Sequence, residues 1–194
     1  MHPFLIKLGV PIVVQDFFTP YYSSDKTGNL VFPYGAEAEH FGFAFHRVPA
    51  RGMWQAGSNN LATVRHVFIC ENAMEAISYF TLNFHKFQHM EQCLFMAGNA
   101  APNVARKSCS LIFNNDLFGK VRDLKTAAAI RRQRIAISLT GEMVHIRFKQ
   151  KQYQIHQRNF SLSAFEKLSG FRFGVRVCKP KSSDCWLDQL KSTL

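Results

Sequence analysis

Polar side chains stand directly after two apolar, strand-like runs of the sequence. Glu71 follows the run HVFIC (66–70). Asn114 and Asp116 follow the run SLIF (110–113). In a parallel α/β sheet, ligands collect at the carboxyl ends of strands, and neighbouring strands lie about 5 Å apart. Carboxylate and amide oxygens suit Mg²⁺, which keeps several waters and bridges to phosphate. The spacing therefore predicts that Glu71, Asn114 and Asp116 converge on one ion.

A second interpretation of the same residues needs no ion. Glu71 could cap the helix that follows it, and the triplet Asn-Asn-Asp at 114–116 could be a polar turn. Asn and Asp are common in turns and at helix starts, because their side-chain oxygens accept hydrogen bonds from nearby backbone amides. The spacing alone leaves the two interpretations open.

The elements around these residues predict a mainly parallel sheet with covering helices. Strands are predicted at 66–70, 93–97 and 110–113, and helices at 71–87 and 117–133. This β-α-β-loop-β-α order is typical of an α/β domain. Further elements are predicted as an antiparallel meander at 134–160, a helix at 161–170, a strand at 173–179 and a helix at 184–191.

The first third of the chain follows a different pattern. It has an apolar start, a turn-rich stretch (YYSSDKTGN), two predicted strands at 30–34 and 41–48, and a Gly- and Asn-rich loop at 51–60. Residues 1–62 are therefore predicted to form a small N-terminal α+β segment. Residues 63–194 are predicted to form the α/β domain, with a basic insertion at about 134–160.

Basic residues outnumber acidic ones by 24 to 13, which gives a formal net charge of +11 and favours a polyanionic partner. Ten cations and only two acids lie between residues 120 and 158. Within MVHIRFK, apolar residues alternate with cationic ones, which predicts a strand with one cationic face. The candidate nucleic-acid contacts are Lys120, Arg131, Arg132, Arg134, Arg147, Lys149 and Lys151. A solvated charged surface is the alternative, and arginines at a helix end also complement the helix dipole.

The sequence lacks the signals of a zinc site, a membrane span, a Walker-type phosphate loop and a serine nucleophile. The five Cys residues include no C-x-x-C pair, which argues against zinc and suits free thiols in a reducing cytoplasm. No run of about 18 apolar residues is present, so a membrane span is not expected. Walker-type phosphate loops and G-x-S-x-G motifs are also missing from the sequence.

The order of the motifs resembles that of Toprim proteins. VFICENAMEAISYFTL resembles the first Toprim motif, a strand that ends in Glu and leads into a helix. SLIFNNDLFGK resembles the D-x-D-x-x-G motif, and KPKSSDCWLDQL resembles a "KDWND" tail. HPFLIKLGVPIVVQDFF and LVFPYGAEAEHFGFAFHR resemble segments that precede Toprim in primase-like proteins of plasmids and mobile elements such as conjugative transposons. The resemblance covers most of the chain apart from 131–160.

This resemblance implies a Rossmann-like Toprim fold that acts on nucleic acid, DNA rather than RNA, in replication or mobilisation of a mobile element. Glu71 and Asp116 would be catalytic, and Glu71, Asn114 and Asp116 would hold Mg²⁺ or Mn²⁺ for phosphoryl transfer. Other replication or mobilisation proteins are possible partners. The chain departs from the family at Asn114, which replaces an acid and brings no negative charge. The alternatives are therefore a catalytically degenerate DNA-binding accessory protein and a small Toprim nuclease.

Overall fold

The computed structural model describes residues 1–98 and 107–194. The α-helices are α1 (Pro3–Lys7), α2 (Ile12–Phe18), α3 (Ala73–Asn83), α4 (Leu117–Ile130), α5 (Leu162–Ser169) and α6 (Trp186–Lys191). The first strands are β1 (Ser23–Ser24), β2 (Leu30–Pro33), β3 (Ala38–Phe41), β4 (His46–Arg47), β5 (Met53–Gly57) and β6 (His66–Cys70). The remaining strands are β7 (Cys93–Gly98), β8 (Ser108–Ile112), β9 (Ile135–Thr140), β10 (Met143–Phe148), β11 (Lys151–His156) and β12 (Arg176–Val177).

A five-stranded sheet in the order β12-β8-β6-β7-β5 forms the centre of the protein. Strands β12, β8, β6 and β7 are parallel to one another, and β5 is an antiparallel edge strand. Strand β6 lies in the middle, with Val67 opposite Leu94 on one side and Cys109 on the other. The prediction of a mixed α/β fold with a mainly parallel sheet is confirmed.

Both faces of this sheet are covered, because successive side chains of its buried strands point to opposite sides. Phe68 and Cys70 of β6 face a core that also contains residues of α2, α3 and α6. Val67 and Ile69 face a second core, formed with α4, α5 and the meander of β9, β10 and β11. Four consecutive apolar residues in β6, at 67–70, are therefore explained by burial on two sides.

The N-terminal segment packs on the first of these cores. Its four-stranded antiparallel sheet, in the order β1-β2-β3-β4, buries Leu30 and Phe32 there. The prediction of one strand over 41–48 is wrong, because the amide of Gly42 donates to Phe45 O (2.9 Å) and the chain reverses between β3 and β4.

The prediction of a loop at 51–60 is also wrong. Residues of β5 pair with β7, so the segment predicted at 1–62 contributes an edge strand to the main sheet. Trp54 and Ala56 are buried there and Gln55 is less so, which is the alternation of a strand. The strand ends at Gly57, whose φ of +101° and close approach to the carbonyl oxygen of Cys93 leave no room for a side chain.

The predicted meander is confirmed, and its three strands pair in the order β11-β10-β9. Helix α5 begins at its Ser161 cap, whose Oγ accepts from the amide of Ala164 (3.1 Å), and ends at Gly170 with φ of +70°. The strand predicted at 173–179 is reduced to the two residues of β12. Among the described helices, none is long and apolar enough to cross a membrane.

Candidate functional site

The carboxyl edge of the parallel strands carries the predicted acids. Glu71 directly follows β6, and its amide donates to Ile112 O (3.3 Å) at the end of β8. The cap of α3 is Asn72, whose Oδ1 accepts from the amide of Glu75 (2.9 Å). The alternative in which Glu71 caps the following helix is therefore wrong, because Asn72 holds that position.

Asp116 is the N-cap of α4, a role that neither interpretation of the triplet assigned to it. Its Oδ1 accepts from the amide of Gly119 (2.6 Å), which satisfies one of the free donors of the first helical turn. A close approach of Gly119 to the carbonyl oxygen of Asn114 closes the same turn. Asp116 is thus held by a local contact that needs no ion.

Glu71 is paired with a cation from α4. Its Oε1 accepts from Nη1 of Arg122, and Nη2 of Arg122 donates to Gly98 O (3.2 Å). The guanidinium also lies 4.8 Å from the centre of the Phe113 ring. Burial raises the pKa of Glu71 above its ordinary value, while Arg122 opposes the shift and the nearby carboxylate of Asp116 adds to it. Both predicted acids thus follow strands at the carboxyl edge of the sheet, where Arg122 neutralises Glu71.

A second ion pair lies beside the first. Asp123 is only 1% exposed, and its Oδ2 is 2.7 Å from Nζ of Lys179. The same ammonium donates to Phe113 O (3.1 Å) and Asn114 O (2.7 Å), which ties the loop after β8 to the chain after β12. Burial raises the pKa of Asp123 to about 6, against the opposing effect of Lys179 and with a smaller contribution from Glu71.

Arg122, Asp123 and Lys179 were not predicted as site residues. The sequence offers one signal for Asp123, which follows Asp116 and Gly119 at helical spacing and so lies on the same face of α4. Arg122 and Lys179 come from distant parts of the chain, and their partners follow only from the order of strands in the sheet.

Two buried oxygens in this region lack hydrogen-bond partners among the described residues. They are Oδ1 of Asn114 and Oδ1 of Asp123. Such oxygens are suitable in type for a hard cation. The described ranges nevertheless contain no group of three or more His, Cys, Asp or Glu side chains that could hold a metal ion. The oxygen atoms of Asn114 and Asp123 are of the type that binds Mg²⁺. The carboxylate of Glu71, which would be the principal ligand of the ion, is instead paired with Arg122.

Two buried glutamates that could be mistaken for ligands act as helix caps. Glu75 accepts from the amides of Trp186 (2.7 Å) and Leu187 (3.3 Å), so it holds the start of α6. Burial raises the pKa of Glu75, and these two amides oppose the shift. Glu39, which is fully buried, accepts from the amides of Ala73 (2.7 Å) and Met74 (3.2 Å) at the start of α3.

The predicted basic surface is less uniform than the sequence indicated. Alternation in β10 is confirmed, since Val144, Ile146 and Phe148 are buried. Lys149 lies in the turn between β10 and β11 with φ of +47°, so the prediction that it shares the outer strand face with Arg147 is wrong. Lys151 is the first residue of β11. The outer positions next to Arg147 and His145 are neutral: Ala136, Ser138, Gln152 and Gln154.

The remaining candidate cations have varied surroundings. Lys149 lies 4.1 Å from the ring centre of Phe171, and Nε of Arg131 donates to Phe173 O. Arg132 and Arg134 are exposed after α4, whereas Lys120 is half-buried on that helix. Most of the predicted nucleic-acid contacts are therefore exposed enough to touch a phosphate. They do not form one flat cationic face.

Comparison with models of known families, with curated proteins and with solved structures finds no match to this chain. The resemblance to Toprim proteins therefore stays a prediction from the sequence motifs. The motif acids lie at the carboxyl edge of a mostly parallel sheet, and each is held by a contact from within the protein.

Proposed function

We propose that this protein is a Toprim-like, primase-related protein that binds nucleic acid through a site that has lost turnover. The observation that carries this proposal is the ion pair between Arg122 and Glu71 at the carboxyl end of the central strand. In a metal-dependent site this carboxylate would bind the metal ion. Here it is neutralised by a guanidinium that is also anchored to Gly98 O (3.2 Å).

The charge of the protein supports nucleic acid as the partner. The net charge of +11 would attract a phosphate backbone, with DNA proposed ahead of RNA and a mobile element proposed as its context. Replacement of the first motif acid by Asn114 removes one negative charge from the site, and Lys179 neutralises another at Asp123 (2.7 Å). Fewer free anions reduce the affinity for Mg²⁺ and reduce repulsion of phosphates.

A second candidate function is Mg²⁺- or Mn²⁺-dependent phosphoryl transfer, as in a primase or a small nuclease. It is favoured by the interaction between the carboxylates of Glu71 and Asp116 and by the unpartnered Oδ1 of Asn114. These three residues would hold the ion, which would neutralise charge that develops on the phosphoryl group. For this function, Arg122 would have to leave Glu71.

The two functions are separated by measuring binding and turnover on the same substrates. Labelled single- and double-stranded oligonucleotides are titrated with protein in EDTA and in Mg²⁺, and products are then resolved on a denaturing gel. We expect binding in EDTA and no cleaved or extended product in Mg²⁺. The matched variants are Glu71→Gln and Glu91→Gln, because Glu91 is an exposed acid just before β7, at the amino edge of the parallel strands.

Product that requires the metal ion and is lost in Glu71→Gln but kept in Glu91→Gln would refute the binding-only proposal in favour of phosphoryl transfer. Absence of binding to every oligonucleotide, in either condition, would refute both functions.

A further inference from the structure

A cleft separates the N-terminal segment from the C-terminal helix. It has a volume of about 630 Å³ and lies between α1, the β3–β4 hairpin, the start of α3 and α6. Its lining includes Lys7, Phe43, Phe45, His46, Asn114 and Lys191. Asn114 is shared with the candidate site, so the cleft opens next to the carboxyl edge of the sheet.

Two aromatic rings at the rim of this cleft are exposed. Phe43 is 79% exposed and Phe45 is 49% exposed, although a large apolar ring in water is unfavourable. Both rings are carried by the tight turn in which the amide of Gly42 donates to Phe45 O (2.9 Å). The backbone of this hairpin thus holds two flat apolar surfaces towards solvent.

One cation lies against the Phe43 ring, and a second lines the cleft together with the acid Asp188. Nζ of Lys7 lies 4.7 Å from the centre of the Phe43 ring, on the α1 side. Lys191 lies on the α6 side, in a solvent-exposed pair with Asp188 (3.3 Å) that contributes little to stability. Aromatic faces between exposed ammonium groups are the combination that binds single-stranded nucleic acid, since bases stack while phosphates meet the cations.

Hydrogen-bonding groups complete the lining. Nε2 of His46 lies 2.8 Å from Oε1 of the fully buried Glu39, which fixes the imidazole ring. A neutral imidazole that donates from Nε2 offers Nδ1 as an acceptor. The unpartnered Oδ1 of Asn114 is a further acceptor in this part of the described structure. The amino and imino groups on the edge of an unpaired base can donate hydrogen bonds to such acceptors.

We propose that this cleft binds a nucleotide of a single-stranded nucleic acid, with its base stacked on Phe43 and Phe45 and its phosphates near Lys7 and Lys191. The inference rests on the proposed nucleic-acid function and deepens it, because it names the form of the ligand and the surface that selects it. A duplex keeps its bases paired and stacked, so it cannot offer a free base to these rings.

The test compares the double variant Phe43→Ala/Phe45→Ala with wild type by fluorescence anisotropy on a short single strand and on the matching duplex. We expect single-strand affinity to fall by about fivefold or more, because stacking of one base on an aromatic side chain contributes on the order of 1 kcal/mol or more. Duplex affinity and the salt dependence should stay at the wild-type level, since no charge is removed. Leu168→Ala, an exposed apolar residue on α5 (51% exposed), is the matched control.

Two further variants separate stacking from charge and from misfolding. Phe43→Tyr keeps an aromatic face, so it should retain wild-type single-strand affinity. Lys7→Ala/Lys191→Ala should make the slope of log K against log salt shallower, by about 0.7 for each phosphate of a single strand that the lysines neutralise in the wild type. Circular dichroism verifies that each variant is folded.

Three results would overturn the inference. Wild-type single-strand affinity in the folded Phe43→Ala/Phe45→Ala variant would remove the cleft as the binding surface while leaving the nucleic-acid function intact. Wild-type protein that binds no oligonucleotide would remove the function and the inference together. Self-association in analytical ultracentrifugation that this variant abolishes, with oligonucleotide affinity unchanged, would assign the rings to a contact between two copies of the chain.

Discussion

Replacement of Glu39 by Gln should destabilise the protein strongly, although the two side chains have nearly the same shape. Oε2 of Glu39 accepts from the hydroxyl of Tyr34 (2.6 Å) and the amide of Ala73 (2.7 Å). Oε1 accepts from the amide of Met74 (3.2 Å) and lies 2.8 Å from Nε2 of His46. Whichever oxygen becomes the amide nitrogen of Gln, a new donor then faces a helix amide that is also a donor.

The magnitude follows from the number of hydrogen bonds and their burial. Hydrogen bonds to a charged group contribute about 1.5–3 kcal/mol each, and an unsatisfied buried donor costs about 1–3 kcal/mol. Loss of the negative charge also removes a favourable interaction with the start of α3. With partial relaxation, we expect the free energy of unfolding to fall by roughly 3–5 kcal/mol. That is a large fraction of the roughly 5–15 kcal/mol typical of a domain.

The assay is urea unfolding followed by the fluorescence of Trp54 and Trp186, which are 1% and 6% exposed. Glu37→Gln is the matched control, because Glu37 is exposed two residues away and its replacement should change stability by less than about 0.5 kcal/mol. A loss below about 1 kcal/mol for Glu39→Gln, with an unchanged denaturant slope, would refute the buried-cap reasoning.

Three further outcomes are expected. Asn114→Asp restores the missing motif acid and should strengthen Mn²⁺ binding in calorimetric titration, whereas unchanged affinity would place residue 114 outside any ion site. Replacing Arg147, Lys149 and Lys151 together by Ala should leave the fold intact and make the salt dependence of oligonucleotide binding shallower in anisotropy titrations, by up to about 0.7–0.9 for each phosphate that these cations neutralise. Because the pKa of Asp123 is raised from 3.8 in the unfolded chain to about 6 in the folded one, its contribution to stability is greatest below pH 4 and is lost as pH rises to about 6. The difference in unfolding free energy between wild type and Asp123→Asn should therefore change by up to roughly 3 kcal/mol across that window, and parallel pH profiles would contradict it.

Much of the architecture follows from local patterns in the sequence. The apolar run at 67–70 indicates a strand buried on both faces, and β6 is the central strand. Alternation in MVHIRFK indicates a strand buried on one face, and β10 buries its apolar side. The Ser161 and Gly170 boundaries of α5 also follow from residue type, because caps depend on the few residues next to them. The position of Glu71 at a strand end also follows from the local sequence pattern.

Other features depend on contacts between distant parts of the chain. The segment at 51–60 has the Gly and Asn content of a loop, and it becomes strand β5 only because β7 offers an unpaired edge. Glu39 caps a helix that starts 34 residues later, and Glu75 caps one that starts 111 residues later. The sequence therefore does not distinguish an acid that accepts hydrogen bonds from a distant helix from one that is free to bind a ligand.

The sequence by itself determined the order of strands and helices from β6 to α5 and put Glu71 and Asp116 after strand-like runs, since periodicity and local capping depend on near neighbours. Only the tertiary structure decided what those acids contact. Arg122 reaches Glu71 across 51 residues, because the order of the sheet puts α4 beside the end of β6. An acid that binds a metal and an acid that is neutralised by arginine have the same local pattern, and the difference lies in a partner that is brought near only when the chain folds.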